Sequence, residues 1–410
     1  MPVLKRDNYK IIFLIFLFIW ISLFPLPIHF KYNSIFKLII LLFLFSLLFS
    51  KKIIFKISDF PLWFLLLAWS INIFSASEKL LAFKTYLDLV IPLVCIYYLT
   101  GGNSSTEKSL YLLAKVISVV SIIVALGGIF EVLFAYNPLY EKWIDNYFYK
   151  RYITGFVRPM STQFNPAPLG TYLVGSLPFS FFLFKCQKRF SRFIGIIGII
   201  LGTVVLILTF SRGAFLGLVS MITTYFLIRK RYKSMLIFLM IIVIIILGTV
   251  NLPYPLNRFG MNLLIGQGGI ASSFRMERIF MTIRILTRYF LTGIGFQHFR
   301  IRFYEFYQLK YNVPYEYMIA DNMYLTLLAE TGIIGFLAFF IFIFSILKRG
   351  ILKLAILKDN PNMHFYLTMV ILSLIGFLVN MAGYELFYWP NQYLHFCILV
   401  SLYKNFCCFF

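Results

Sequence analysis

The segment Ser234–Val250 reads SMLIFLMIIVIIILGTV and contains no charged residue. A helix over this range rises about 1.5 Å per residue and crosses most of a hydrocarbon core that is roughly 30 Å thick. The segment therefore predicts a membrane-spanning helix. The apolar run at 322–347 predicts a second one of comparable strength.

The composition extends this prediction to the whole chain. Hydrophobic residues make up 61% of the 410 residues and charged residues only 13%, too apolar a balance for a soluble globular protein. Further apolar runs bring the predicted spans to 11–28, 35–50, 59–76, 83–100, 109–135, 165–184, 193–210, 213–228, 234–250, 322–347, 362–382 and 391–408. The predicted fold is an all-α integral membrane protein of about 12 transmembrane helices.

Charge placement predicts the orientation. With both termini in the cytoplasm, the short inner loops within 51–56, 185–192, 229–233 and 348–358 collect Lys and Arg, as the positive-inside bias requires. The predicted organisation is N-terminal helices 1–135, an extracytoplasmic loop 136–164, central helices 165–250, a large extracytoplasmic loop 251–321 and C-terminal helices 322–410. The net charge of +23 is therefore largely topological, and the short basic loops give no indication of nucleic-acid binding.

The large loop is basic although it is predicted to lie outside. It carries three glutamates against eight cations, namely Arg258, Arg275, Arg278, Arg284, Arg288, Arg300, Arg302 and Lys310. Within it, 271–290 predicts an amphipathic helix at the membrane surface. Its apolar face collects Met276, Ile279, Phe280, Ile283, Leu286 and Phe290, and the opposite, solvated face collects Glu277, Arg278, Arg284 and Arg288. Arg275 lies at the border, so we expect it to point into a cleft above the spans.

Two further arginines lie at predicted outer helix ends. Arg212 begins a span almost directly after the preceding span ends, and Arg158 precedes Asn165-Pro166, a cap residue followed by proline at the first helical position. An arginine at such an end could be an interfacial anchor whose head reaches water. The alternative is a cation that binds an anionic ligand held at the membrane surface.

The chain re-enters the membrane through Asp321-Asn322-Met323-Tyr324-Leu325. Asp321 could simply cap the following helix. Glu330 lies nine residues further on, about 13 Å along a helix, where an acid is costly and suggests a function or a buried partner. Gly332 and Gly335 would allow close helix packing at that depth.

The order of these motifs resembles the O-antigen ligase/polymerase superfamily. The resemblance rests on Arg158…Asn165-Pro166, Ser211-Arg212-Gly213, Arg275, Gly293-x-Gly295 and Asp321-Asn322-x-Tyr324-Leu325…Glu330-x-Gly332-x-x-Gly335, and it covers about 150–340. It implies an enzyme of the bacterial inner membrane that transfers glycan from undecaprenyl diphosphate on the extracytoplasmic side. Ligases of the family attach finished polymer to lipid A–core, whereas polymerases join repeat units.

The resemblance also implies roles for residues. Arg212 and Arg275 match arginines that hold the lipid diphosphate, a task that suits a planar, permanently charged fork. Arg158, Asn322 and Tyr324 are expected to contact substrate. A ligase is expected to carry a histidine base immediately before the Asn, where this chain has Asp321; a carboxylate can take the same proton, and the difference favours a polymerase.

The expected partners are an undecaprenyl-diphosphate-linked glycan donor, a glycan or lipid-linked acceptor and membrane lipids, with other polysaccharide-assembly proteins as further candidates. No cofactor is expected, and the scarcity of outer acids argues against a metal. A ligase remains one alternative. A second is a flippase for lipid-linked oligosaccharide, since Lys37, Lys84, Asp88, Lys115 and Glu131 fall within or at the ends of spans. A third is a scaffold for an assembly complex.

Overall fold

A computed structural model describes residues 8–23, 59–99, 107–139, 157–249, 269–302 and 320–407. Within these ranges every extended element is helical. The long helices are α1 (Asn8–Leu23), α2 (Phe60–Ser75), α3 (Lys79–Leu99), α4 (Glu107–Phe134), α5 (Pro166–Lys185), α6 (Arg189–Leu208), α7 (Arg212–Ile228), α8 (Tyr232–Thr249), α9 (Gly269–Tyr289), α10 (Met323–Ile356), α11 (Pro361–Met381) and α12 (Pro390–Cys407).

The all-α prediction is confirmed, and each predicted span within the described ranges coincides with a helix. Seven helical segments in those ranges are long and apolar enough to cross a membrane, and α2, α7 and part of α1 form shorter apolar helices. The count of about twelve stays a prediction, because the segment predicted at 35–50 lies outside the described residues.

Helices α5 and α11 form the centre of the bundle. The apolar part of α5 is 83% buried and that of α11 is 67% buried, whereas that of α8 is 0% buried. Close approach of α7 to α11 depends on glycine: a Cβ on Gly213 would lie 3.3 Å from the Cα of Gly383, and a Cβ on Gly217 would lie 2.7 Å from the Gly376 carbonyl oxygen. The helix that we expected to be a strong span, α8, therefore lies at the edge.

Helix α10 is broken at Gly332, where the backbone adopts φ 63° and ψ −171°. Glycine tolerates this conformation because it has no Cβ. Gly332 does allow the close approach that we expected, but the approaching element is the segment at 290–295, since a Cβ on Gly332 would lie 2.4 Å from the Leu291 carbonyl oxygen.

A returning segment at 290–295 occupies the break in α10. The N–H groups of Ile294 and Gly295 donate to the carbonyls of Ala329 (3.1 Å) and Glu330 (3.0 Å). In the other direction, Ile333 N–H donates to Phe290 (2.9 Å) and Ile334 N–H donates to Leu291 (3.3 Å). The two carbonyls and two N–H groups of α10 that flank the break thus all find partners in the returning segment, as buried backbone requires.

Helix α9 packs on α10 through a face that the prediction did not assign. Met281, Thr282 and Ile285 are buried, while much of the predicted apolar face is exposed, namely Met276, Ile279, Phe280, Ile283 and Phe290. The existence of the helix is confirmed, and the exposed apolar face keeps open its predicted contact with a membrane surface. The assignment of Arg278 to the solvated face is wrong, because its side chain is only 14% exposed.

Candidate functional site

The first part of the candidate site is the turn between α6 and α7. Ser211 caps α7 by accepting from the Ala214 N–H (3.4 Å), so Arg212 occupies the first helical position. Arg158 reaches this turn from the preceding loop and donates through Nε to the Thr209 carbonyl oxygen (2.7 Å). The structure thus brings Arg158 to the short junction that positions Arg212. Two cations that lie far apart in sequence belong to one end of the bundle.

The start of α5 adjoins this turn. The Asn165 side chain accepts from the Ala167 N–H (3.1 Å), and Pro166 occupies the first helical position, which confirms the predicted helix start. The Asn165 amide also donates to the hydroxyl of Tyr384 (3.2 Å). Asn165 therefore connects the start of α5 to the segment that follows α11.

The second part of the candidate site is the start of α10. Asn322, and not Asp321, is the helix cap: its side-chain oxygen accepts from the N–H groups of Tyr324 (2.9 Å) and Leu325 (3.2 Å). Asp321 instead adopts a left-handed backbone with φ 50° and forms an ion pair with Arg278 of α9. The Asp321 side chain remains 27% exposed. The carboxylate is thus fixed by an arginine and still accessible.

Tyr324 points away from this surface and towards α11. Its hydroxyl donates to the Leu378 carbonyl oxygen (2.7 Å), and its ring packs against Phe340 at 5.6 Å between centroids. Among its described contacts, Tyr324 thus joins two helices. The predicted contact of Tyr324 with substrate stays a prediction without further support.

Glu385 is a buried acid that sequence reasoning missed. One carboxylate oxygen accepts from the Ala320 N–H (2.8 Å) and the Thr326 hydroxyl (2.7 Å), and the other lies 3.7 Å from the guanidinium of Arg300. Burial raises the pKa of Glu385, against the lowering effects of Thr326 and Arg300. Glu385 holds the residue that precedes Asp321, so it positions the accessible carboxylate without itself reaching the surface.

Glu330 has buried partners, as one of the two predicted readings required. It accepts from the hydroxyl of Tyr388 and from the N–H of Phe299 (3.1 Å). Burial and the adjacent Glu330 carboxylate raise the pKa of Tyr388, so this hydroxyl stays a proton donor. Glu330 therefore ties the returning segment and the connection between α11 and α12 to the break in α10.

The segment Ala382–Trp389 joins the two parts of the site. Near its start, Gly383 lies against Gly213 of α7 and Tyr384 contacts Asn165; further on, Glu385 and Tyr388 hold α10. A sequence signal existed, because Glu385 is the only Asp, Glu, Lys or Arg between Asp359 and Lys404. An acid isolated between two apolar spans is expensive unless it is paired.

The contacts described above do not test the predicted role of Arg275 or the expectation that no metal is bound. Arg275 lies on α9, but its side chain is not among the described ones. In the described ranges, no three His, Cys, Asp or Glu side chains lie together so as to hold a metal ion. Glu131, one of the ionisable residues within predicted spans, accepts from the N–H groups of Met160 and Ser161 (2.8 Å each) and so anchors the loop before α5.

The arrangement defines a polytopic helical membrane protein with arginines and a fixed carboxylate at one end of its bundle. Residues 197–340 match the family model described as O-Antigen ligase. This match confirms the resemblance of the chain to the O-antigen ligase/polymerase superfamily, a family of membrane enzymes that act on lipid-linked glycans. No curated protein matches the chain. The matched range includes Arg212, Arg278 and Asp321, whereas Arg158 and Glu385 lie outside it.

Proposed function

We propose that the chain is a glycosyltransferase that moves an undecaprenyl-diphosphate-linked glycan to a sugar hydroxyl at the extracytoplasmic face of the bacterial inner membrane, and that it acts as a polymerase in surface polysaccharide assembly. The observation that carries this proposal is the ion pair between Arg278 and the accessible Asp321, at the end of the bundle that also holds Arg158 and Arg212. The anionic donor requires cations to bind it, and the acceptor hydroxyl requires a base to take its proton. Glycosyl transfer therefore needs arginines and a carboxylate close together.

In the proposed reaction the acceptor hydroxyl oxygen attacks the anomeric carbon of the donor sugar. The bond from that carbon to the diphosphate oxygen breaks, and the hydroxyl proton passes to the Asp321 carboxylate. Because glycosyl transfer passes through an oxocarbenium-like transition state, a carboxylate is basic enough for this late proton transfer. The ion pair with Arg278 keeps the carboxylate oriented.

The departing diphosphate gains negative charge. We assign the stabilisation of this charge to Arg212 and Arg275, and a contact with the donor to Arg158. Arginine forks suit phosphate oxygens, and charge stabilisation at the leaving group lowers the barrier. Asn322 contributes the helix start that orients Asp321, in addition to its predicted contact with substrate. We propose a metal-independent reaction, so EDTA is expected to leave the rate unchanged.

A ligase is the second candidate, and the description of the matched family favours it. The residue before the Asn322 cap favours a polymerase, because Asp321 stands where the resemblance leads one to expect a ligase histidine. The two activities differ in acceptor and not in the chemistry at the anomeric carbon, so the same residues serve either.

The test is reconstitution of the purified protein in liposomes with an undecaprenyl-diphosphate-linked repeat unit, followed by chain-length analysis of the glycan. A polymerase lengthens the chain on the lipid carrier, and Asp321→Asn and Arg212→Ala each reduce the rate at least about a hundredfold. Arg284→Gln, an exposed arginine on α9, is the matched control and keeps normal rates.

Three results would contradict the proposal. Transfer of finished polymer to a lipid A–core acceptor, without elongation, identifies a ligase. Movement of the lipid-linked unit across the bilayer without a new glycosidic bond identifies a flippase. Normal elongation by both substituted proteins at normal protein levels removes the assigned site.

A further inference from the structure

A cavity lies at the opposite end of the bundle from Asp321 and Arg212. Its volume is about 1370 Å³, and it opens between the start of α4, the end of α5, the end of α7 and the start of α11. The positive-inside pattern predicts that this end lies in the cytoplasm. Neither the proposed reaction nor the matched family description gives the cavity a role.

The walls of this cavity combine apolar rings with cations. Five of the lining side chains are aromatic or aliphatic, namely Tyr111, Leu112, Phe182, Tyr225 and Phe365. Five cations line it as well, namely Lys108, Lys185, Lys188, Arg229 and Arg231. Glu107, the one acid among the described residues that line the cavity, accepts a hydrogen bond from the Asn362 amide (2.5 Å). All five cations are exposed and Phe182 is buried, so exposed positive charge and apolar rings line the same cavity.

Two of the cations rest on the aromatic wall. The Lys188 ammonium lies 5.6 Å from the centre of the Tyr111 ring, and the Arg229 guanidinium lies 5.9 Å from Tyr225 and 5.7 Å from Phe365. At exposed sites a cation–π contact of this kind contributes about 0.5–1 kcal/mol. These contacts therefore favour positions of Lys188 and Arg229 against aromatic rings that line the cavity.

The positive-inside bias explains how many cations this end carries, but not where they lie. Arg192 and Lys233 belong to the same short basic loops and do not line the cavity, whereas Lys188 and Arg229 do. Cations gathered around an apolar cavity suit a ligand with a phosphate head and a hydrocarbon tail. Basic pockets between helices on the cytoplasmic side are known to suit anionic lipid headgroups.

We propose that this cavity binds the phosphate headgroup of an anionic phospholipid from the cytoplasmic leaflet, with the proximal part of an acyl chain against Phe182 and Phe365. The ligand class is a phosphate mono- or diester carrying an apolar tail. The site is independent of the glycosyl transfer assigned to the other end of the bundle. It would couple the position of α4, α5, α7 and α11 to the anionic lipid content of the membrane.

The test uses the full chain in detergent, loaded with phosphatidylglycerol or phosphatidylcholine and analysed by native mass spectrometry. Wild type is expected to retain phosphatidylglycerol at least tenfold more tightly than phosphatidylcholine. The pair Lys188→Gln with Arg229→Gln is expected to lose that preference, whereas Arg192→Gln with Lys233→Gln, the matched control, retains it.

A second pair, Lys185→Gln with Arg231→Gln, serves if the first does not fold, as judged by its melting temperature. Equal retention of phosphatidylglycerol by wild type and by either cavity pair overturns the proposal, and so does loss of retention in the control pair. Glycerol 3-phosphate is the soluble probe. Full displacement of the lipid by equimolar glycerol 3-phosphate overturns the lipid assignment, while failure to displace it supports the contribution of the acyl chain.

Discussion

Gly293 and Gly332 face each other with no space for a side chain between their backbones. A Cβ on Gly332 would lie 2.4 Å from the Leu291 carbonyl oxygen, and a Cβ on Gly293 would lie 2.4 Å from the Glu330 carbonyl. Both residues also have positive φ, at 69° and 63°. The two glycines are therefore the point at which the returning segment enters the broken helix.

Substitution of Gly332 by alanine should destabilise the protein strongly. The left-handed backbone alone costs about 1–3 kcal/mol for a residue with a Cβ, and the clash with Leu291 adds to this cost. We expect a lower melting temperature in detergent and a lower yield of folded protein. Gly248→Ala is the matched control, because a Cβ there meets nothing within 4 Å. Equal melting temperatures for the two variants would contradict the close packing at Gly332.

The ion pair between Arg278 and Asp321 predicts coupled effects on glycosyl transfer. Arg278→Gln should reduce the transfer rate by about tenfold, because Asp321 loses the group that orients it, while Asp321→Asn should cost more. In the double variant the loss of Arg278 should add little. A double-mutant cycle on the initial rate measures this coupling. Fully additive effects would show that Arg278 does not act through Asp321.

Glu385 predicts a pH dependence of stability. Burial raises the pKa of this carboxyl in the folded protein, so the folded state holds the proton to a higher pH than the unfolded state does. The resulting stabilisation is complete below the ordinary glutamate pKa of about 4.3 and is lost as the pH rises through the raised folded value. Melting temperature measured against pH should fall over this range in wild type.

Glu385→Gln should flatten that part of the pH profile, because glutamine does not titrate and can still accept from Ala320 and Thr326. Glu78→Gln is the control, since the Glu78 side chain is exposed. Identical profiles for wild type and Glu385→Gln would show that the acid does not titrate in this range.

A substitution at Tyr324 can distinguish a structural role of this residue from contact with substrate. Tyr324→Phe removes the hydroxyl that donates to Leu378 and should cost about 0.5–1.5 kcal/mol of stability. Because the hydroxyl is engaged with α11, the Michaelis constant for the lipid-linked donor should stay within about twofold of wild type. Tyr232→Phe, at an exposed position, is the control for melting temperature. An increased Michaelis constant at unchanged stability would contradict this expectation and support the predicted contact with substrate.

The features that sequence predicted well are local ones. Apolar runs gave the spans because each helix satisfies its own backbone, and Asn165-Pro166 gave a helix start because capping needs only adjacent residues. It was harder to predict which arginine of α9 faces Asp321, because the rotation of that helix follows from its packing on α10 through Met281 and Ile285. Sequence spacing alone could not show that Arg278 faces Asp321.

Contacts between distant residues explain the rest of what sequence missed. Glu385 holds Ala320, which is 65 residues away, and Tyr388 holds Glu330 at a distance of 58 residues. A pattern along one segment carries no information on such a partner. The isolated acid signalled that a partner was needed, but only the fold could identify it.

The four backbone hydrogen bonds at the break in α10 also bear on how the protein is made. Synthesis proceeds from the amino terminus, so residues 290–295 emerge before their partners at 329–334 exist. The N–H groups of Ile294 and Gly295 cannot find these carbonyls until α10 has been translated. The part of α10 before Gly332 is thus completed by docking against an earlier part of the chain, and Ala320, which precedes Asp321, meets its partner Glu385 only after that residue has been translated.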